Sequence, residues 1–375
     1  MTTFVASDLH LDEESQARLF HDERQGKRLA TLAESLRNDD ELVLLGDVFD
    51  FTAMSPPPQG LGRFFQRMEM PQEPPHPQRD LAALCAAARE SNPIAMAALE
   101  RLSRRSKVTM VPGNHDRHLA DPDAPAAFAS IGLGAVKIER FVQRDIGGRT
   151  VVMLHGHEFD KSNAQPHGPG ETMTNALHHA VVPFLRHHGA RRNVKMDADR
   201  IVSLRPEENI VTVLQRWLDE KTFRRFFRAL LRLLAENGLL PRPASWLAAF
   251  VSVNGVRRRA AHGDKLWEES GALAVELLRG ERHLPYDAPR PDALVLGHTH
   301  VIDWAVDDAR GPDDALYVNL GTWTERVLDA SSPPDDSLPV LSLGEKAGRM
   351  EVLLRDLETG AELQRFEALT GRSGP

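Results

Sequence analysis

The apolar positions of this chain fall into short runs separated by helical stretches. Phe4-Val5-Ala6 and Leu42-Val43-Leu44-Leu45 are too short for helices and are read as buried strands, the second ending at Gly46. Between them, Ser15 to Arg37 is rich in Leu, Ala, Arg and Glu and predicts a helix. Helices are also predicted over Asp80–Glu90 and again after Asn92-Pro93, where Asn suits the N-cap and Pro the first helical position. The segment holding Pro56, Pro57, Pro58, Pro71, Pro74, Pro75 and Pro77 is read as a mobile loop without regular structure. Val108-Thr109-Met110-Val111 predicts a third strand, and strands turning at Gly147-Gly148 lead to another at Val151-Val152-Met153-Leu154. From Lys161 to Arg290 the texture is helical, with amphipathic stretches and few strand signals. A strand returns at Asp292–Leu296, and three or four more follow. Leu316–Asn319 and Met350–Arg355 are among them, with the last near Glu362–Phe366, and Pro333-Pro334-Asp335-Asp336 is a loop.

This alternation predicts an α/β chain: a catalytic domain from residues 1–160 and 291–375, interrupted by a helical insertion over 161–290. A length of 375 residues with 41% hydrophobic content supports that size and excludes a wholly disordered chain. Cys85 is the sole cysteine, which excludes a disulfide framework and a cysteine-ligated zinc site. No apolar run reaches membrane-span length, and Thr3-Phe4-Val5-Ala6 passes directly into polar residues. The expected location is therefore the cytoplasm, or at most the inner face of a membrane. The net charge of −8 argues against nucleic acid as a partner. The insertion has the opposite balance, with 21 Lys and Arg against 14 Asp and Glu between Lys161 and Arg290.

Five polar clusters stand directly after predicted strands, where an open sheet presents its site. They are Asp8-Leu9-His10, Gly46-Asp47-Val48-Phe49-Asp50, Gly113-Asn114-His115-Asp116, His155-Gly156-His157 and Gly297-His298-Thr299-His300. Taken singly, most are ordinary caps or turns, although paired histidines at a strand end have few structural uses. Five in order, each offering oxygen or imidazole donors, point to metal ligation. Strand alternation is expected to put Asp8 with His10, and His298 with His300, on one side.

The series resembles the motifs of the calcineurin-like metallophosphoesterases over Met1–Asp160 and from Pro291 to about Phe366. The resemblance implies a four-layer α-β-β-α sandwich of two mixed sheets with a helical cap. It also implies hydrolysis of a phosphoester by a hydroxide bridging two divalent metals, manganese first, with iron, zinc or magnesium as alternatives. One metal would be held by Asp8, His10, Asp47 and His300, and the other by Asp47, Asn114, His155 and His298. His115 matches the general acid, with Asp50 hydrogen-bonded to it. His155 takes the fourth-motif ligand position, which remains open to His157 because only register separates the two. Phe51 stands where the protein Ser/Thr phosphatases carry a phosphate-binding Arg, which argues against a phosphoprotein substrate. Asn319-Leu320-Gly321-Thr322-Trp323 resembles a closing strand and turn, read as scaffold.

The expected substrate is a small phosphomonoester, phosphodiester or pyrophosphate. In the insertion, Arg224, Arg228 and Arg232 recur at i, i+4, i+8 within residues 223–234, opposite Phe and Leu. That stretch is read as a cap helix packed on its neighbours, with contact to a membrane surface as the alternative. A helical insertion in this position is similar to that of the UDP-diacylglucosamine hydrolases. A lipid-linked UDP-sugar pyrophosphohydrolase is therefore a second reading, although His115 stands where those enzymes typically have Arg. A nuclease and a non-catalytic scaffold are the remaining ones. Arg191, Arg192, Arg257, Arg258 and Arg259 are candidate phosphate contacts or plain surface charge.

Overall fold

A computed structural model describes residues 1–13, 17–72, 78–192, 198, 201–204, 209–239, 273–307, 314–325 and 336–369. Arg257, Arg258 and Arg259, three of the prolines (Pro74, Pro75 and Pro77) and most of the Pro333–Asp336 loop lie outside them. The first half of the chain alternates strands and helices. In chain order these are β1 (Thr3–Ala6), α1 (Lys27–Ser35), β2 (Glu41–Leu45), α2 (Phe51–Met54), α3 (Leu61–Met68), α4 (Leu81–Ser91), α5 (Pro93–Ser103), β3 (Lys107–Val111) and α6 (Ala124–Ser130). Then come β4 (Lys137–Ile138), β5 (Val142–Ile146) and β6 (Arg149–Met153). The helices α7 (Pro169–Ala176), α8 (Val182–Arg192), α9 (Asn209–Trp217) and α10 (Glu220–Glu236) follow, with a further helical turn set over 273–279. The chain closes with β7 (Ala293–Leu296), β8 (Ile302–Asp307), β9 (Ala315–Leu320), β10 (Pro339–Lys346), β11 (Arg349–Asp356) and β12 (Glu362–Leu369).

The strands form two mixed sheets, of order β12-β11-β10-β1-β2-β3-β4 and β5-β6-β7-β9-β8. In the first, β1 to β4 run parallel and β10 joins β1 antiparallel. In the second, β6, β7 and β9 are parallel between antiparallel edges. Val5, Val43, Val111, Val151, Val295 and Val318 meet between the sheets, where β-branched side chains fit a pleated face. The opposite face of the larger sheet buries Leu42, Leu44, Val108 and Met110 under α1, α4, α5 and α6. The outer face of the smaller sheet packs on Leu277 and Leu278. The result is the four-layer sandwich. A separate core gathers Phe64 and Phe65 of α3, Phe184 of α8 and Phe226 of α10.

Several local expectations are corrected. The expected start at Ser15 lies outside the described residues; within them, residues 17–21 are not helical and helix begins at Asp22, as a π turn over Asp22–Gly26 leading into α1. Ala17, Leu19 and Phe20 instead run without helix, and this lets them fill two different cores. The proline-rich segment contains α3, because its prolines flank a stretch that places Leu61, Phe64, Phe65 and Met68 on one face. Asn92 does not cap α5 with its side chain; Asp22 does, accepting from the amides of Ile94 and Ala95 at 2.8 and 2.9 Å. Asn92 donates instead to the Asp12 carbonyl at 2.6 Å. Among the described residues five strands, rather than three or four, follow β7.

Glu41, fully buried, ties the sheets together. Its carboxylate accepts from Arg144 of β5 at 2.7 Å and from Thr109 of β3 at 3.1 Å, with Lys107 3.0 Å away. Burial alone would raise its pKa, but Arg144 and Lys107 overcome this and hold it below the ordinary value. A depressed carboxylate contributes stability above its unfolded-state pKa, and that contribution is lost as pH falls. Glu41→Gln is expected to cost about 1–3 kcal/mol in urea denaturation at pH 7. The gap from wild type should narrow as pH drops from 6 to below 4; a gap independent of pH would reject the charge-based account.

Candidate metal centre

The loops after β1, β2, β3, β6 and β7 are stitched together by backbone hydrogen bonds. The amides of Asp8 and His10 donate to the carbonyls of Gly46 and Asp47 at 3.1 and 2.9 Å, and Gly297 donates to His155 at 2.9 Å. Glycine is required where these loops touch: a Cβ on Gly46 would enter the His155 ring, and one on Gly113 the Asp47 carboxylate. Asp8, His10, Asp47, His298 and His300 all have φ between 47° and 71°, the left-handed region that non-glycine residues rarely occupy. The strands end at Ala6 and Leu296, so strand alternation does not aim these side chains; the left-handed loops do. As a consequence His298 and His300 part company instead of sharing a side.

Asp8, His10 and His300 form one group of donors, and Asp47, His155 and His298 a second. A third joins His10 to Asp50 and His115, and within each group the donor atoms lie within 4.8 Å of one another. His10 Nε2 is 3.2 Å from His300 Nε2, which is itself 3.2 Å from Asp8 Oδ1. His155 Nε2 is 3.2 Å from Asp47 Oδ2 and 3.3 Å from Asn114 Oδ1. Ligands bound about 2.1 Å from one cation at right angles stand about 3 Å apart, so these spacings match the edges of coordination shells. Asp8 Oδ1 is also fully buried without a well-aligned hydrogen bond. Mixed carboxylate, imidazole and amide oxygen donors of this kind fit divalent cations. All seven expected ligand residues are thus brought together; Asp47 lies with the second group, and His157 is in none of the three.

The electrostatics follow from burial. Burial pushes Asp47 upward, yet the imidazoles of His155 and His115 outweigh it and hold Asp47 well below the carboxylate range. Asp50 behaves alike through His115 and His10. Conversely, burial opposes charge on His155, but Asp47 and Asp8 raise it to about 10. His115 Nδ1 lies 2.8 Å from Asp50 Oδ1, and Asp50 with Asp47 raises His115 to about 9 against the burial penalty. Asp50 Oδ2 also faces His10 Nδ1 at 3.4 Å, a close approach in which neither atom has a well-aligned hydrogen bond.

Asp160 escaped the sequence reading, Asp116 was named there only as part of its motif, and the Asn319–Trp323 stretch was read as scaffold. Asp160 Oδ2 meets His298 Nε2 at 3.0 Å, which leaves Nδ1 as that ring's lone-pair nitrogen. Asp116 accepts from the amides of Val48 and Gly113 at 2.7 and 2.6 Å, clamping two motif loops together. Asn319 donates to the Gly297 carbonyl at 2.8 Å, while Thr322 and Trp323 donate to the Asp8 carbonyl at 2.9 and 3.1 Å. Asp160 follows His155 by five residues in one loop, the signal that could have found it. Phe51 is buried and stacked on Phe49 at 5.1 Å, away from any phosphate-binding role.

The calcineurin-like phosphoesterase family profile matches residues 1–302. The chain belongs to that family and is a hydrolase of phosphoester bonds, a chemistry that its relatives perform with divalent metals. No curated protein matches it. Among solved structures it is similar to a predicted phosphoesterase from Streptococcus pneumoniae TIGR4, at 10% identity and a TM-score of 0.31, over 98% of this chain and 97% of that one. It is also similar to Vps29 from Entamoeba histolytica complexed with zinc, at 12% identity and a TM-score of 0.34, over 98% of each chain.

Two substitutions test the donor geometry through metal content. Asp47→Asn should abolish stoichiometric uptake of manganese or zinc in equilibrium dialysis with elemental analysis. Asp160→Asn should weaken uptake by roughly 10–100-fold, the usual effect of losing a ligand's own hydrogen-bond partner. Uptake by Asp47→Asn equal to wild type would remove the carboxylate from the site.

Proposed function

We propose that the chain hydrolyses a small phosphomonoester, phosphodiester or pyrophosphate. Two divalent cations, manganese for preference, would be held by Asp8, His10 and His300 on one side and by Asp47, Asn114, His155 and His298 on the other. The observation that carries this reading is the 2.8 Å His115–Asp50 pair standing beside two clustered donor groups. When bound, the cations would acidify water and offset charge on the phosphate oxygens. Asp50 Oδ1 accepts the Nδ1 proton of His115, so His115 is cationic at neutral pH and its Nε2–H is the proton given to the leaving oxygen. Asp50 and Asp160 hold rings in place rather than react.

Residues 161–290 act in this reading as a cap. In support, Arg117 beside the site donates to the Asn163 carbonyl at 3.1 Å, and Asn175 of α7 donates to the Pro56 carbonyl at 3.1 Å. The basic surplus of this segment draws in anionic substrate. Phe223, Phe226, Leu230 and Leu233 of α10 are buried inside the protein, with Arg224, Arg228 and Arg232 outward. That face is therefore occupied, which favours a small substrate over contact with a lipid surface. Among the described residues no helix is long and apolar enough to cross a membrane.

Protein stripped with chelator and reloaded with manganese should hydrolyse p-nitrophenyl phosphate or bis-p-nitrophenyl phosphate. His115→Ala should lower kcat by about 10²–10⁴-fold, most for the poorest leaving groups, while bound metal stays at the wild-type level. Full turnover in that variant would remove His115 from its role. Failure of the loaded wild type across monoesters, diesters and pyrophosphates would overturn the hydrolase reading of this site.

A further inference from the structure

The third motif passes directly into a 3₁₀ turn over Arg117–Ala120, so Arg117 leaves the chain three residues after Asn114. Its side chain is largely covered, 19% exposed, and runs between two loops. Nε donates to the Asn114 carbonyl at 3.3 Å, and Nη2 donates to the Asn163 carbonyl at 3.1 Å. Glu171 of α7 pairs with it only at 3.9 Å, so the two carbonyls take the aligned bonds.

Each carbonyl leads to a donor of the second group. On one side, the amides flanking Asn114, those of Gly113 and His115, donate to Asp116 and Asp47 at 2.6 and 2.8 Å. With these and its own carbonyl bonded, the Asn114 backbone is fixed, and its Oδ1 stands 3.3 Å from His155 Nε2. On the other side, the Asn163 side chain donates to Asp160 Oδ2 at 2.6 Å, and the same oxygen meets His298 Nε2 at 3.0 Å. The turn carrying them is closed on itself. The amides of Asn163 and Ala164 donate to the Asp160 carbonyl at 2.9 and 2.7 Å, and that of Ser162 to Asp160 Oδ1 at 2.8 Å. Gly170 of α7 donates to the Ser162 carbonyl at 3.0 Å, and a Cβ on Gly170 would enter the Asn163 amide. One guanidinium thus joins Asn114 to His298, through Asn163 and Asp160.

Resting on the two-cation reading above, we infer that Arg117 is a positioning residue for the cation of the second donor group, bracing the third motif against the start of the helical insertion so that Asn114 and His298 keep their spacing. A guanidinium suits this role because its planar fork serves two carbonyls at once, whereas a lysine ammonium is a point donor on a flexible stem. Its positive charge works against a neighbouring cation, so bracing and repulsion predict opposite outcomes when the side chain is removed. Linkage adds a second consequence. If the brace helps the cation bind, the cation steadies the brace by the same factor, and residues 160–171 tighten on loading.

Full-length protein, stripped with chelator, is titrated with manganese, and bound ion is counted by equilibrium dialysis. Arg117→Met is expected to weaken one of two equivalents by about tenfold or more, the same one that Asp160→Asn weakens, and to leave the other within about twofold. Arg117→Lys should fall in between. Asn163→Ala cuts the same path at its link to Asp160; it should weaken that equivalent too, and the double variant with Arg117→Met by less than the product of the two effects. Hydrogen exchange over residues 160–171 should slow on manganese loading in the wild type and much less in Arg117→Met. A tighter equivalent in Arg117→Met would make charge repulsion the governing effect and overturn the inference. Equal weakening of both equivalents would reduce Arg117 to a general structural part and overturn it as well, as would unchanged uptake with a raised KM for p-nitrophenyl phosphate, the mark of a substrate contact. Each of these leaves the two-cation reading intact. A wild type that takes up fewer than two equivalents sinks that reading, and the role of Arg117 with it.

Discussion

Three carboxylates, Asp8, Asp47 and Asp50, are buried to within 1% of complete exclusion from water, and the site is organised around that burden. An isolated buried carboxylate costs several kcal/mol, which only positive charge at close range offsets. The chain supplies imidazoles for this purpose. His155, His300 and His115 each reach one of the three carboxylates at 2.8–3.2 Å, and the rise of His155 and His115 to about 10 and 9 is the other side of the same attraction. Divalent cations would take over that role, because on binding them the imidazoles at the donor positions would release their protons and offer the freed lone pairs, which is the chemistry the family exploits.

Holding such groups together takes rigid scaffolding, and the sandwich provides it at one edge. Parallel strands β1, β2 and β3 end side by side, and β6 and β7 end opposite them, so five loops open into one space. Those loops then fix one another through bonds that do not involve the reacting groups. Asp116 joins the second and third, Asn319 secures the fifth, and Thr322 with Trp323 secures the first. The left-handed residues are tolerated because this mesh leaves them no alternative.

The helical insertion contributes in another way. Its core, built on Phe64, Phe184 and Phe226, draws α3 from the first half of the chain into the same cluster as α8 and α10. The loop following His155 runs directly into this segment, so Asp160 and Asn163 link the donor groups to the beginning of the insertion. The donor groups and the start of the helical segment therefore meet in one short stretch of chain.

The sequence by itself determined the alternation of strands and helices and the five polar clusters, while the pairing of His115 with Asp50 was implied by the resemblance of those clusters to a known family. The first two follow from local rules, since apolar runs bounded by Gly and followed by donors are visible without knowing what folds against them. It did not show α3, hidden between prolines, because that helix is justified by Phe64 and Phe65 packing on α10, more than 150 residues away. Nor did it show that Asp22 caps α5 or that Asp160 holds His298. These were decided by tertiary structure, because a side chain's direction in a left-handed loop and its partner across the chain are set by what surrounds it, not by its neighbours in sequence.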